Sequence, residues 1–270
     1  MLAVAVLVVG LWLPLPDAAV KPGAPVIMGT QRSSFRLVPA TTGMTFPGYR
    51  NNGYRQLVEP GEKGFLIRIE TVNGQISSKL KGRRVTLSPE LAPLAEVLNA
   101  NHEEYLADQV TYMFEWLRRE IEYETEWVAD QTIEKVMRTR SANCVGLSSV
   151  AIEVLAAMGV RARYVTGIAF QRQDKAKLVL EGSVLHRWIE IHYEDAGWVF
   201  ADPSGKVNFV EATYLVMGVD SVHPLEELKE RAVGSSVELL KLENGFRVIG
   251  RIPGVDGRLR IRPNRLFVNP

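Results

Sequence analysis

Cys144 is the only cysteine in the chain, and it stands where a nucleophilic thiol would be placed. It opens the run C-V-G-L-S-S-V-A-I-E-V-L-A-A-M-G, directly after Ser141, Ala142 and Asn143. Leu147, Ala151, Val154, Leu155 and Met158 recur at helical spacing, so this run predicts an amphipathic helix. Gly159 supplies a C-terminal stop and Asn143 an N-cap, which puts Cys144 at the first helical position. Free amide groups and the helix dipole favour a thiolate there. A lone cysteine can equally be a small buried hydrophobe. Position alone does not separate the two.

A nucleophilic thiol needs a base, and the base needs an orienting partner. The histidines are His102, His186, His192 and His223. His186 opens a strand-like run, H-R-W-I-E-I-H-Y, and a second run, W-V-F-A-D-P, follows Glu194-Asp195-Ala196-Gly197. Two such runs around a short Gly-containing turn predict a hairpin, and Asp202-Pro203 ends its second strand. Alternation places His186, Trp188, Glu190 and His192 on one face and Arg187 on the other. With residues 193 to 197 as the loop, His192 faces Trp198 and Trp188 faces Asp202. Asp202 is then a diagonal neighbour of His186, roughly 7–8 Å away between α-carbons, within reach of a carboxylate–imidazole hydrogen bond. An even loop without a bulge would put the two on opposite faces. Read singly, His186 is an edge-strand histidine and Asp202 a turn former. Their order after a helix-opening cysteine is what points to thiol chemistry.

The chain has 270 residues, 46% hydrophobic and 23% charged, enough for one medium domain or a core with small appendages. A net charge of +1 argues against nucleic acid as an electrostatic partner. The sequence shows no Gly-rich phosphate loop, zinc spacing or EF-hand pattern. His186 and His192 share a strand face, but a metal pair there finds no further ligand-type residues nearby. Residues 2 to 13 are uninterrupted by charge and end at Pro14 and Pro16. That run is shorter than the roughly 20 apolar residues a bilayer span needs, and it fits the apolar region of a secretory signal. Export to the periplasm or the extracellular space follows, with residues 2 to 13 either removed or kept as an anchor. Without a second cysteine an exported chain has no disulfide framework, and a retained lone thiol there reads as functional.

Four segments are expected: 1–20 as a signal or anchor, 21–100 as a β-rich region with the start of a helical stretch, 101–220 as the core, and 221–270 as a helix and β-hairpin extension. Strands are predicted near Ser34 to Pro39, Tyr54 to Val58 and Val85 to Leu87, with a hairpin of Gly64–Thr71 and Gly74–Leu80. Ser88-Pro89-Glu90 starts a helix, another spans about 102 to 123, and a short one runs from Asp130 or Thr132 to Arg140. Further helices are expected at Val210–Met217 and Pro224–Ala232. A hairpin of Val237–Leu242 and Phe246–Ile252 is expected around Glu243-Asn244-Gly245, with short strands at Leu259–Ile261 and Leu266–Val268.

Residues 108 to 218 resemble the transglutaminase-like core, a branch of the papain-like cysteine hydrolases. The resemblance rests on Ile121-Glu122-Tyr123, Cys144, Gly159-Val160-Arg161-Ala162-Arg163, His186-Arg187-Trp188-Ile189-Glu190, Gly197-Trp198 and Asp202-Pro203, in that order. It implies an α+β papain-like fold, with the Cys-bearing core helix packed on an antiparallel sheet. It further implies that Cys144 is the nucleophile, His186 the general base and acid, and Asp202 the residue that orients His186. The second oxyanion donor, besides the Cys144 amide, would come from Tyr123 or Trp127, and Tyr123 also reads as a core residue. The implied activity is hydrolysis or acyl transfer at a peptide or isopeptide amide through a thioester, on a peptide or protein substrate. No metal or cofactor is implied. The rival of another class is a non-catalytic binding or scaffold protein on the same fold.

Overall fold

The protein is described from a computed structural model. It describes residues 23–41, 46–72, 80–102, 104–125, 130–170, 177–179, 185–220, 232–245 and 247–253. Along β2 (Thr30–Val38) burial alternates strictly: Gln31, Ser33, Phe35 and Leu37 face inward, while Arg32 and Arg36 face out. That period of two is the signature of a strand covered on one face. The N-terminal strands are β1 (Gly23–Met28), β2, β3 (Tyr49–Asn51), β4 (Tyr54–Gly61) and β5 (Gly64–Val72). β5 lies between β4 and β2; its expected hairpin partner, Gly74–Leu80, lies outside the described residues except for Leu80.

A single 3-10 turn at Pro89–Leu91 leads into α1 (Ala92–Ala100), where Ser88-Pro89-Glu90 predicted a start. α2 (Leu106–Glu120) follows, then β6 (Glu122–Tyr123), α3 (Ile133–Thr139), β7 (Ser141–Ala142) and α4 (Cys144–Ala157). α3 ends at Arg140, which adopts a left-handed conformation at φ 55° and places the guanidinium over Trp116. Gly159 at φ 67° terminates α4, a conformation that costs glycine no Cβ clash. Beyond it run β8 (Ala162–Ala169), β9 (Lys177–Val179), β10 (Leu185–Tyr193), β11 (Gly197–Ala201), β12 (Tyr214–Val219), β13 (Ser236–Asn244) and β14 (Arg247–Pro253).

The core sheet is antiparallel, in the order β11-β10-β8-β12. Its two faces carry separate apolar clusters. Ile189, Ile191 and Tyr193 pack with Val150, Val154 and Leu155 of α4 and with Phe114 and Leu117 of α2. On the opposite face Trp188, Phe200, Leu215 and Val216 pack against Phe35, Leu37, Ile67 and Ile69 of the second sheet. Burying each such side chain contributes about 1.5–3 kcal/mol, so these layers hold the two sheets and the helices together. The result is an α+β fold with the cysteine-bearing helix on an antiparallel sheet.

Several expectations are corrected. Val210–Met217 is not a helix: from Tyr214 the chain becomes β12, and it covers the free edge of β8. Its composition, Y-L-V-M-G-V, suits a pleated half-buried surface, and an open sheet edge needs cover. The hairpin expected from Val237–Leu242 and Phe246–Ile252 does not form. β13 lies between β2 and β9 in the order β3-β4-β5-β2-β13-β9, and β14 pairs with β1. β2 holds one edge of β13 along its length and β9 holds the other at Ser236–Glu238, long-range partners that a local turn signal cannot reveal. Val85–Leu87 is not a strand either, because Asn99 of α1 takes both the N–H and the C=O of Val85, at 2.8 and 2.9 Å. Residues 2–13, 224–231, 259–261 and 266–268, for which a signal, most of a helix and two strands were expected, lie outside the described residues. Among the described residues no helix is long and apolar enough to cross a membrane.

Buried polar side chains fix how the second sheet sits on the core. Gln56 donates through Nε2 to Val216 O (2.8 Å) and accepts from Val216 N through Oε1 (2.9 Å). Tyr54 donates to Tyr214 O at 2.6 Å, and Gln31 accepts from Ala212 N at 2.7 Å. These bonds satisfy backbone groups on β12 and on the segment before it, so the second sheet sets the position of Tyr214. Fully buried Glu190 gathers Tyr49, Asn51 and Arg163 into a further bridge between β3 and β10.

Candidate active site

Cys144 is the first residue of α4. Asn143 caps the helix, its Oδ1 accepting from Val145 N at 2.9 Å. Gln131, itself buried, accepts from Asn143 N at 3.0 Å and so fixes the entry into the helix. Gly146 is small for a reason: a Cβ there would meet Gln131 Oε1 at 2.5 Å and Val136 Cγ2 at 2.8 Å. The helix start therefore rests directly on α3 and the strand before it.

His186 is the second residue of β10, and Asp202 follows the last residue of β11. The observed register pairs His192 with Trp198 and Ile189 with Ala201. Extending it by one residue sets Asp202 opposite Trp188 and diagonal to His186, the placement expected from the sequence. The turn is tighter than expected: Tyr193 pairs with Gly197, leaving residues 194 to 196 as the loop. Both loops have an odd number of residues, so the faces are unchanged; Gly197 supplies the left-handed residue, at φ 75°.

The side chains of these three residues meet. His186 Nε2 lies 2.7 Å from Asp202 Oδ2. The Cys144 thiol is hydrogen-bonded to the same imidazole and also accepts from the backbone N–H of Arg187. With Nε2 engaged by the carboxylate, Nδ1 is the nitrogen left for sulfur. All three groups are largely withdrawn from water: Cys144 is 6% exposed, Asp202 2%, and the His186 side chain 12%.

Burial alone would lower the His186 pKa, but the Asp202 charge and hydrogen bond, with the Cys144 contact, raise it to about 10. For Cys144, burial pushes the thiol up. The His186 hydrogen bond and charge, aided by the Arg187 amide, outweigh that and leave it below an ordinary thiol. Asp202 follows the same logic: burial raises its pKa, and His186, Ser204 and Tyr214 bring the net value below the usual carboxylate range. The arrangement favours thiolate, imidazolium and carboxylate together, so the sulfur carries nucleophilic charge and the imidazole a proton to deliver.

Sequence reasoning missed the groups that hold Asp202. Tyr214 donates to Asp202 Oδ2 at 2.8 Å. Ser204 gives Oδ1 both its backbone N–H (2.9 Å) and its hydroxyl (2.7 Å). Ser204 was readable from Asp202-Pro203-Ser204, because Asp and Ser two apart commonly close such turns. Tyr214 carried no local signal, and its segment was expected to be helical.

Tyr123 lies on β6, which pairs with β7 so that Tyr123 is opposite Ala142. The residue is 43% exposed, yet its hydroxyl is hydrogen-bonded to the thiol and the backbone amide of Cys144. Burial of that end of the ring, and the nearby Cys144 and Asp202 charges, raise its pKa. Trp127 lies outside the described residues. His192 is turned away from the site, its ring against Trp198 and within 3.1 Å of Arg161 Nη2. Trp188 and Phe200 are buried beneath the site, whereas Trp198 is only partly buried and carries Arg163 4.0 Å above its ring. Among the described residues no cluster of His, Cys, Asp or Glu is arranged to hold a metal ion.

Residues 93–203 match the sequence profile of the transglutaminase-like superfamily. They form a transglutaminase-like core. That core contains α2, α4, β8, β10 and β11, and with them Cys144, His186 and Asp202. Solved structures similar to the chain include a putative cysteine protease from Cytophaga hutchinsonii, at 10% identity and a TM-score of 0.38, covering 83% of this chain and 90% of that one. The periplasmic domain of TgpA from Pseudomonas aeruginosa, bound to ethylmercury, aligns at 16% identity and a TM-score of 0.40, covering 67% and 75%. Red sea bream transglutaminase aligns at 11% identity and a TM-score of 0.32, covering 76% and 52%. No curated protein matches the chain.

Proposed function

We propose that the chain is a cysteine-dependent enzyme that cleaves or exchanges amide bonds through a thioester. One observation carries this reading: a single imidazole, His186, bonded to Asp202 at 2.7 Å and to the Cys144 thiol at the start of α4. In this reading the Cys144 thiolate attacks the amide carbonyl and forms a C–S bond. The carbonyl oxygen becomes an oxyanion, which takes over the Cys144 amide N–H that now points at the Tyr123 hydroxyl. Tyr123 then donates to the oxyanion as the second member of the hole, worth on the order of 2.7–4 kcal/mol for one such donor. His186 gives its proton to the amine nitrogen as the C–N bond breaks. The neutral imidazole then takes a proton from water or from an incoming amine, which attacks the thioester and frees the thiolate. Asp202 stays ionised and stabilises the imidazolium.

Water as acceptor makes the enzyme a peptidase or amidase, and an amine makes it an acyltransferase. The substrate in both cases is a peptide or protein amide. The apolar run at residues 2 to 13 supports work outside the cytoplasm. The experiment is a panel of peptide, isopeptide and cell-wall amides, analysed by mass spectrometry with and without added amine. Mass shifts of hydrolysis or amine incorporation that vanish in Cys144→Ser support the reading. Their absence across the panel, with a thiol no more reactive than a free one, leaves the binding or scaffold alternative.

A further inference from the structure

Arg187 follows His186 on β10 and projects from the opposite strand face. Its backbone N–H is bonded to the Cys144 sulfur, so its side chain leaves the chain beside the nucleophile. The guanidinium lies 5.0 Å from the centroid of the Tyr164 ring. Tyr164 in turn places its hydroxyl 3.4 Å from Ser149 Oγ on α4. Arg187 is only partly exposed, and its Nε is buried with no acceptor. Directly across the ladder, Thr166 Oγ1 is also buried without a partner. Among the described residues no carboxylate pairs with this guanidinium.

That is unlike other arginines of the chain. Arg32, Arg36 and Arg68 each pair with a glutamate in the open, and partly buried Arg163 is bound to Glu190 at 2.8 Å. A partly buried cation without a counter-charge loses hydration, and a ring contact such as that with Tyr164 returns only part of it. Buried donors without acceptors are rare enough in folded proteins to need a reason. A guanidinium beside an aromatic ring still presents its remaining N–H groups as a planar fork, which matches a carboxylate.

We propose that Arg187 is a substrate-binding residue that receives a carboxylate of the substrate, close to the amide that Cys144 attacks. The preferred substrates are then acidic amides, with a free carboxylate within about a residue of the scissile bond. This rests on the proposed function, since the subsite has meaning only beside a reactive thiol. The contact binds and orients; it takes no part in bond making.

The test uses two thiol reagents of equal size that differ in one charge, iodoacetyl-glycine and iodoacetyl-glycinamide. The quantity measured is the ratio of their second-order rate constants with Cys144 at pH 7. The His186 charge is common to all variants, so changes in the ratio report Arg187. In Arg187→Gln the acid-to-amide ratio is expected to fall by on the order of tenfold, the worth of one hydrogen bond to a charged group. Arg187→Lys is expected to restore part of it, and Arg36→Gln, an exposed charge on β2 paired with Glu238, to leave the ratio as in the wild type. Arg187→Met provides an independent readout: with the uncompensated charge gone and the volume kept, its Tm is expected to equal or exceed that of the wild type. A merely structural arginine would lower it. An unchanged ratio in Arg187→Gln, with a thiol that still reacts with the amide reagent, overturns the subsite and leaves the proposed function standing. A wild-type thiol inert to both reagents overturns the proposed function itself.

Discussion

Replacing Asp202 by Asn tests the electrostatics of the site with little change of shape. In the wild type Oδ2 takes His186 Nε2 at 2.7 Å and Tyr214 at 2.8 Å, while Oδ1 takes two donors from Ser204. An asparagine keeps one acceptor oxygen. If that oxygen stays with Ser204, its NH₂ faces His186 Nε2 and forces the tautomer with hydrogen on Nδ1. The nitrogen facing the thiol then cannot accept a proton. The lost charge is the larger effect on titration. Charge centres about 4 Å apart at an effective dielectric near 20 interact by about 4 kcal/mol. At about 1.4 kcal/mol per pH unit, that is a drop of roughly three units in the His186 pKa, which stands at about 10 in the wild type. The assay is the ring proton shift of His186 followed by NMR across pH. Turnover at neutral pH is expected to fall by on the order of 10²–10⁴. The stability difference has a definite sign. A raised histidine pKa stabilises the fold fully below the unfolded value of about 6.5, and the gain is lost as pH climbs towards 10. The Tm gap between wild type and Asp202→Asn should therefore be wide near pH 5–6 and narrow by pH 10. An imidazole that titrates at the same pH in both proteins refutes the reasoning.

Tyr214→Phe removes one hydrogen bond to the Asp202 carboxylate while keeping the ring between His186 and Trp188. The Asp202 carboxylate is expected to titrate at higher pH with the fold intact, a bond to a charged acceptor being worth about 1.5–3 kcal/mol, as read from its carboxyl carbon shift by NMR. Gly146→Ala should cost about 1–3 kcal/mol in denaturant unfolding, since the new methyl meets Gln131 and Val136 inside contact distance. Asp108 is buried on α2 with no side chain among the described residues bonded to its carboxylate, and burial, with the nearby Glu104 charge, outweighs the Tyr105 backbone N–H and pushes its pKa up to about 7. Its ionisation opposes folding increasingly as pH rises from about 4 to 7, so Asp108→Asn should raise Tm more at pH 8 than at pH 4. Equal gains at the two pH values would count against an uncompensated charge there.

The placement of Cys144, His186 and Asp202 was legible in the sequence because the signal for each is local. An N-cap before an amphipathic run fixes where Cys144 stands, and the parity of a short hairpin fixes which face His186 and Asp202 share. Parts of β2, β4 and β5 were legible for the same reason, through alternation, whereas β1 and β3 were not expected. What escaped depends on distant partners. Tyr214 sits on a strand because β8 has an edge to cover, not because of its own neighbours. β13 carries a good turn signal after it, yet β2, about 200 residues away in sequence, claims its ladder instead. The bonds from Gln56, Tyr54 and Gln31 to β12 and the residues before it have no sequence signature, since each joins a side chain to a backbone group far along the chain.

The central claim is that His186 turns Cys144 into a nucleophile. The direct measurement is the rate of Cys144 alkylation by iodoacetamide between pH 4 and 9, in the wild type and in His186→Ala. With the imidazolium beside it, the wild-type thiol should react well below the pH at which an ordinary thiol ionises, about 8.5. Without the imidazole, burial is left to oppose the thiolate, and the reactive limb should move to that value or above it. Two superimposable profiles, both rising only near pH 8.5, would contradict the account.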